Sequence, residues 1–184
     1  MDRLRDGATL RILLVIAAVG LASAVQAQVP WNPAAPENRQ LLPAFSYATV
    51  EAVLTAIRAR HQRASANPGR PMLVVNFPNG RRAVVSLLSC NPDGSSCKAL
   101  GVQSSWAAPA GVTRPRLDEA VARFNQRYSF SKAYVTGQGR LAVQRYLTAD
   151  YGFIRGDLAV NLLVFADQAN RFANEVVKPL TPAG

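Results

Sequence analysis

Two cysteines and one histidine are all the thiol and imidazole groups this chain has, and their scarcity limits its chemistry. A zinc site wants four ligands, more than Cys90, Cys97 and His61 supply. A dithiol redox pair usually keeps two residues between its sulfurs, whereas Asn91-Pro92-Asp93-Gly94-Ser95-Ser96 separates Cys90 from Cys97. The pair is therefore expected as a structural disulfide across a turn in an oxidising compartment. Loop closure of so short a ring adds about 2–3 kcal/mol.

The other candidate chemistries are weaker. No serine lies in a Gly-x-Ser-x-Gly elbow, and a Ser-His-Asp triad would have to recruit the lone His61 by chance. His61 is expected near the C-terminal end of a helix, where a cation complements the dipole. Gly137-Gln138-Gly139 joins two strands, with no helix N-terminus behind it to hold a phosphate, so it reads as a turn. Asp150, Asp157 and Asp167 lack the alternating oxygen-ligand spacing of a calcium loop, and Asp157 suits a helix start. No catalytic, metal or cofactor site is expected, and the chain reads as a non-enzyme.

The basic residues remain. Lysine and arginine outnumber acids 21 to 11, a net charge of +10. Such a surface favours anionic partners (acidic proteins, lipid or lipopolysaccharide head groups, nucleic acid), although solubility and an arginine-rich composition are the preferred explanation, because the basic residues are scattered. Arg58, Arg60, Arg63 and Arg70 form one loose cluster and Arg81–Arg82 another. Neither interleaves with aromatics as a nucleic-acid groove does, so no specific nucleic acid is expected. Candidate anion contacts are Arg81, Arg82, Lys132 and Arg145. Alternation puts Arg145 with Leu141, Val143 and Leu147 on an apolar face. Either a bulge or an edge position shifts it, the preferred reading, or it is partly buried on an acidic or carbonyl partner.

The first 27 residues set the compartment. Arg3, Arg5 and Arg11 precede an uncharged run, Ile12 to Ala22, and cleavage steps follow after Ala24 or Ala27. That order is an export leader, with an apolar run too short to span a bilayer comfortably. Its removal takes three arginines and two aspartates, leaving 157 residues at +9, enough for one domain. The mature chain is expected in a periplasm or outside the cell.

Positioning falls to a short series of elements. Residues 28–47, with prolines at 30, 33, 36 and 43, are expected as an arm without regular structure, pinned by Trp31 and Phe45. Thr49 caps a helix bearing Val50, Val53, Leu54 and Ile57 on one face, ending near His61–Ala64. Met72–Phe77, Arg82–Ser89 and Ala99–Trp106 form a meander, turned first by Pro78-Asn79-Gly80 and then by the cysteine-bracketed loop. Thr113 caps a second helix carrying Leu117, Val121, Phe124 and Tyr128. Strands Phe130–Thr136 and Leu141–Thr148 follow. A last helix runs from about Gly156 to Val177, with Leu158, Leu162, Phe165, Ala169, Phe172 and Val176 as its core stripe. Val160, Leu163 and Val164 fall outside that stripe and need a second surface, either another subunit or deep burial within a monomer.

The passage Asn125-Gln126-Arg127-Tyr128-Ser129-Phe130-Ser131-Lys132-Ala133-Tyr134-Val135, together with the cysteine-bracketed turn before a strand, resembles the YbjN-domain family. The resemblance covers roughly residues 48–177, leaving 178–184 as a tail. It implies an α+β domain like the type III secretion chaperones: one twisted antiparallel sheet in the order α-β-β-β-α-β-β-α, with helices packed on it and frequent dimerisation. It also implies a regulatory role and transfers no catalytic residue. The expected function is an exported protein-binding or chaperone-like module. A sheet face, a sheet edge or the groove beside the last helix would take up a partner segment. The alternative is binding of anionic envelope polymers or lipid head groups through the basic surface. A homodimer is the third expected association.

Overall fold

The computed structural model describes residues 31–65 and 69–181; the expected leader, residues 1–27, lies outside them. The first helix, α1 (Tyr47–Ala56), starts three residues earlier than its apolar spacing suggested. Ser46 is the cap: its hydroxyl accepts from Thr49 N–H at 3.2 Å, and Ser46 N–H donates to Thr49 Oγ1 at 2.9 Å. Each half of such a reciprocal pair satisfies one orphan donor of the helix start.

The helix also stops sooner than expected. Arg58 takes φ 60° and turns the chain into a strand, β2 (Arg60–Arg63), antiparallel to β3 (Met72–Asn76). His61 therefore sits in a strand, its Nδ1 3.1 Å from the Ala59 carbonyl, and the helix-terminus reading is corrected. All four β2 side chains are polar, so their alternation leaves no apolar signal at either period.

The meander continues through β4 (Arg82–Leu88) and β5 (Ala99–Trp106). The first turn closes with Phe77 N–H donating to the Arg81 carbonyl at 2.8 Å. Cys90 and Cys97 are disulfide-bonded across the second. Thr113 precedes α2 (Arg114–Arg127) but its hydroxyl makes no capping bond; Pro115 occupies the first turn instead. Strands β6 (Lys132–Val135) and β7 (Leu141–Thr148) form a hairpin whose β7 pairs with β5. The spatial order is β2-β3-β4-β5-β7-β6. The expected single antiparallel sheet is present, extended by one edge strand.

Along β3, β4, β5 and β7, alternate residues Leu73, Val75, Val85, Leu87, Leu100, Val102, Leu141 and Val143 are buried. They meet α1, α2 and α3 (Arg155–Phe172), which runs on through a π turn at Ala173–Val177. Phe172 lies 5.3 Å from the Trp106 ring centroid and 5.0 Å from that of Phe124. Each fully buried side chain of this size contributes about 1.5–3 kcal/mol.

The proline-dense N-terminal segment is not a free arm. Pro36 opens a 3-10 turn (Pro36–Arg39), a first helical position that proline tolerates. β1 (Leu41–Leu42) then pairs with β8 (Phe153–Ile154). Phe45 is buried, stacks on Phe153 with ring centroids 4.4 Å apart, and exchanges two 2.9 Å backbone bonds with Cys97. At the other end, Val177 and Leu180 pack against the core, so the expected tail begins later than residue 178.

Candidate functional site

The helices cover one face of the sheet; the candidate site is the other. It is built from the alternate residues of each strand: Met72, Val74 and Asn76 on β3, Arg82, Val84, Ser86 and Leu88 on β4, and their paired neighbours across β5, β7 and β6. Opposite residues of an antiparallel pair share a face. Register therefore carries this face from Leu88 through Ala99 to Thr148, and from Ser86 through Gly101 to Tyr146.

Small residues make its floor. Ala99, Gly101 and Ala142 are buried although they lie on the open side. Leu88 Cδ1 and Gln144 Nε2 each stand 3.7 Å from where a Gly101 Cβ would be. Tyr134 reaches across β7 and donates its hydroxyl to Gln103 Oε1 at 2.7 Å; burial there pushes the phenol pKa up. Above this floor Val84, Leu88 and Tyr146 are 39%, 37% and 54% exposed.

Charge on the face has one sign. Arg60, Arg82 and Lys132 fall on it by register. Arg140 joins at its margin, its Nη2 3.3 Å from Ser105 Oγ. Arg82 and Arg140 line one shallow cavity of about 250 Å³ with Val84, Gln103 and Ser105. Among the described residues none of these four cations makes an ion pair, and no acidic residue lies in a strand. The ion pairs belong to the helical side. One example is Arg63 on Glu51 at 2.8 Å, whose hydrogen bond holds the Glu51 carboxyl below its usual pKa.

The four candidate anion contacts are thus divided. Arg82 and Lys132 share the open face, while Arg81 and Arg145 alternate to the helical side. The preferred reading of Arg145 is corrected: β5 and β7 pair without a bulge from Ala99↔Thr148 to Trp106↔Leu141, and β7 is not an edge. The arginine is half-buried on a carbonyl partner instead. Its Nη1 donates to the Phe130 carbonyl and its Nη2 to Asn161 Oδ1 at 3.2 Å, and its guanidinium lies 4.0 Å over the Phe130 ring. A ring face and two oxygens hold the charge where no carboxylate does.

The candidate surface on α3 opens less than expected. Val160 is 44% exposed, but Val164 is half-buried and Leu163 packs against the core. α3 is flanked by α1 and by the 3-10 turn as well as by the sheet, so Leu163 is covered within the chain and Val164 partly so, while Val160 stays open. Arg140, Tyr146, Leu88 and Val84 were not singled out by sequence, and Arg60 only as a member of a loose basic cluster, with no face assigned to it. Leu88 and Val84 were findable as the solvent-side alternates of β4; the face of Arg60 was not, because β2 itself was unread.

One edge of the sheet is closed. Asn125 of α2 donates Nδ2–H to the Ala133 carbonyl at 2.9 Å and accepts Ala133 N–H on Oδ1 at 2.8 Å. It thus takes the two backbone groups that another strand would need at that residue. Among the described residues no three metal-ligating side chains gather, and no helix is long and apolar enough to cross a membrane.

Comparison with known proteins adds a family. Residues 46–178 match the model of the YbjN family, described as a putative bacterial sensory transduction regulator. Among curated proteins none matches the chain. With well over half of its length matched, over a range that includes the Asn125-to-Val135 passage, the chain belongs to the YbjN family.

Proposed function

We propose that the chain is an exported, non-enzymatic regulatory module that binds a partner protein on the open face of its sheet. The observation that carries this reading is the clustering of Val84, Leu88 and Tyr146, three of the large apolar side chains left exposed, on one uncovered face. An exposed apolar cluster rimmed by polar groups is the mark of an interaction surface. The family description supports a regulatory role, and the leader supports export. A homodimer through this face would oppose like charges, which disfavours it. β-augmentation at β6 is disfavoured by Asn125. A second reading, binding of anionic envelope polymers or lipid head groups, is favoured by the one-signed charge of Arg60, Arg82, Lys132 and Arg140.

The test is retention of periplasmic proteins by tagged mature chain, washed in parallel at low and high salt, with Leu88→Asp/Tyr146→Asp beside the wild type. One defined protein held at high salt by the wild type and lost by a folded double variant is the expected result. Acidic material that washes off with salt from both would favour the polymer reading. Equal retention of that protein by both would remove the face from consideration.

A further inference from the structure

We infer that the partner segment docked on the open face is acidic as well as apolar: a stretch of protein in which Asp or Glu flank aliphatic or aromatic residues. This rests on the docking reading above and names the chemistry of its partner.

Charge is segregated between the two sides. Among the described residues, acidic side chains sit on the 3-10 turn, α1, α2, α3, the π turn and the loops, and none on a strand. The helical side neutralises much of its own arginine: Arg63 pairs with Glu51, Arg114 with Asp118, Arg127 with Glu175 and Arg171 with Asp167. The open face has no such partners. A protein laid over Val84, Leu88 and Tyr146 excludes water from the ground between Arg82 and Lys132. Partly desolvated cations left without counter-charge oppose binding, so an uncharged apolar segment fits poorly and a basic one worse. Carboxylates placed around an apolar centre satisfy both requirements, and the amides of Gln103 and Gln144 supply hydrogen-bonding groups between them.

A lipid surface fits less well. The apolar side chains on the face are about half-covered, whereas insertion into a bilayer calls for protruding ones. The protruding pair is elsewhere, Leu41 and Tyr151, at 63% and 98% exposure.

The experiment uses the mature chain and three soluble twelve-residue fluorescent peptides: one alternating Glu with Val or Tyr, one with every Glu replaced by Lys, and one with every apolar residue replaced by Ser. Anisotropy gives affinity, and backbone amide shifts give the site. Vesicles of phosphatidylglycerol form a parallel arm. The acidic apolar peptide is expected to bind about tenfold or more tighter than either control, to shift amides of β4, β5 and β7, and to lose about tenfold on Arg82→Glu/Lys132→Glu. Equal affinity for the lysine peptide, no loss in the charge-reversed variant, or binding of vesicles without the peptide would overturn the inference. The failures separate when the same variants are run on the captured partner. If it is lost by Leu88→Asp/Tyr146→Asp but kept by Arg82→Glu/Lys132→Glu, docking stands and acidity falls. If it is kept by both, docking itself falls.

Discussion

Asn125 does for β6 what a neighbouring strand would otherwise do, donating to and accepting from the backbone of Ala133. Truncating it leaves two main-chain groups to find water at the junction of α2 and the sheet. Asn125→Ala should lower unfolding free energy by about 1–3 kcal/mol in a urea titration followed by circular dichroism. Asn125→Asp, which keeps an acceptor for Ala133 N–H, should lose less. An unchanged midpoint for the alanine variant would mean that the two bonds are replaced without cost. This residue was visible in the sequence as part of a motif, but not its role, because the motif shows spacing and the bond spans eight residues around a helix end. Arg145 is the converse case. Alternation placed it on the apolar face correctly, yet its anchors, Phe130 and Asn161, lie 15 and 16 residues away in opposite directions. No local pattern links them, and a bulge was the simpler local explanation.

Elements with an apolar period were legible, and elements without one were not. β3, β4, β5 and β7 are β-rich runs with β-branched or leucine residues at most alternate positions, and α2 and α3 carry apolar residues at helical spacing. β2 is Arg-His-Gln-Arg, which reads equally as a frayed helix end. The segment from Trp31 to Phe45 hid itself differently: its prolines forbid long helix or strand, but its structure is made of two-residue and four-residue pieces that proline permits. Its seat is carved by glycine. Gly152 holds φ +87°, and a Cβ there would lie 2.7 Å from the Leu42 carbonyl oxygen. Gly152→Ala should therefore cost more than about 1 kcal/mol in thermal unfolding, combining a left-handed backbone with a clash. Amide exchange at Leu42 and Phe45 should quicken before that of β4 and β5. Exchange quickening evenly over the whole chain would show that this segment is not a separable unit.

At the scale of the molecule, charge is sorted by side: among the described residues no acid lies on a strand, and the open face of the sheet carries only cations. That arrangement was not legible in the net charge of +10, which carries no direction; it appears only once register assigns each cation to a face. The folded unit is also wider than the family match. Residues 46–178 omit Phe45, which is 1% exposed, and both strands' worth of contact made by β1 with β8. Loss of one buried phenylalanine alone costs about 3–5 kcal/mol, a large share of a typical domain's 5–15 kcal/mol. A chain trimmed to 46–178 should melt far below one of residues 28–184, or show collapsed amide dispersion at room temperature. Equal melting temperatures would demote the N-terminal segment to a passenger.

The pairing of Leu41 with Ile154 also sets a clock. The two residues are 113 positions apart (154 − 41), and at roughly 5–20 residues per second of synthesis the first waits about 6–23 s for the second to exist. For that interval Leu41 has no strand to pair with, although Cys97, the backbone partner of Phe45, is made sooner; every later strand must be made before β1 can come to rest.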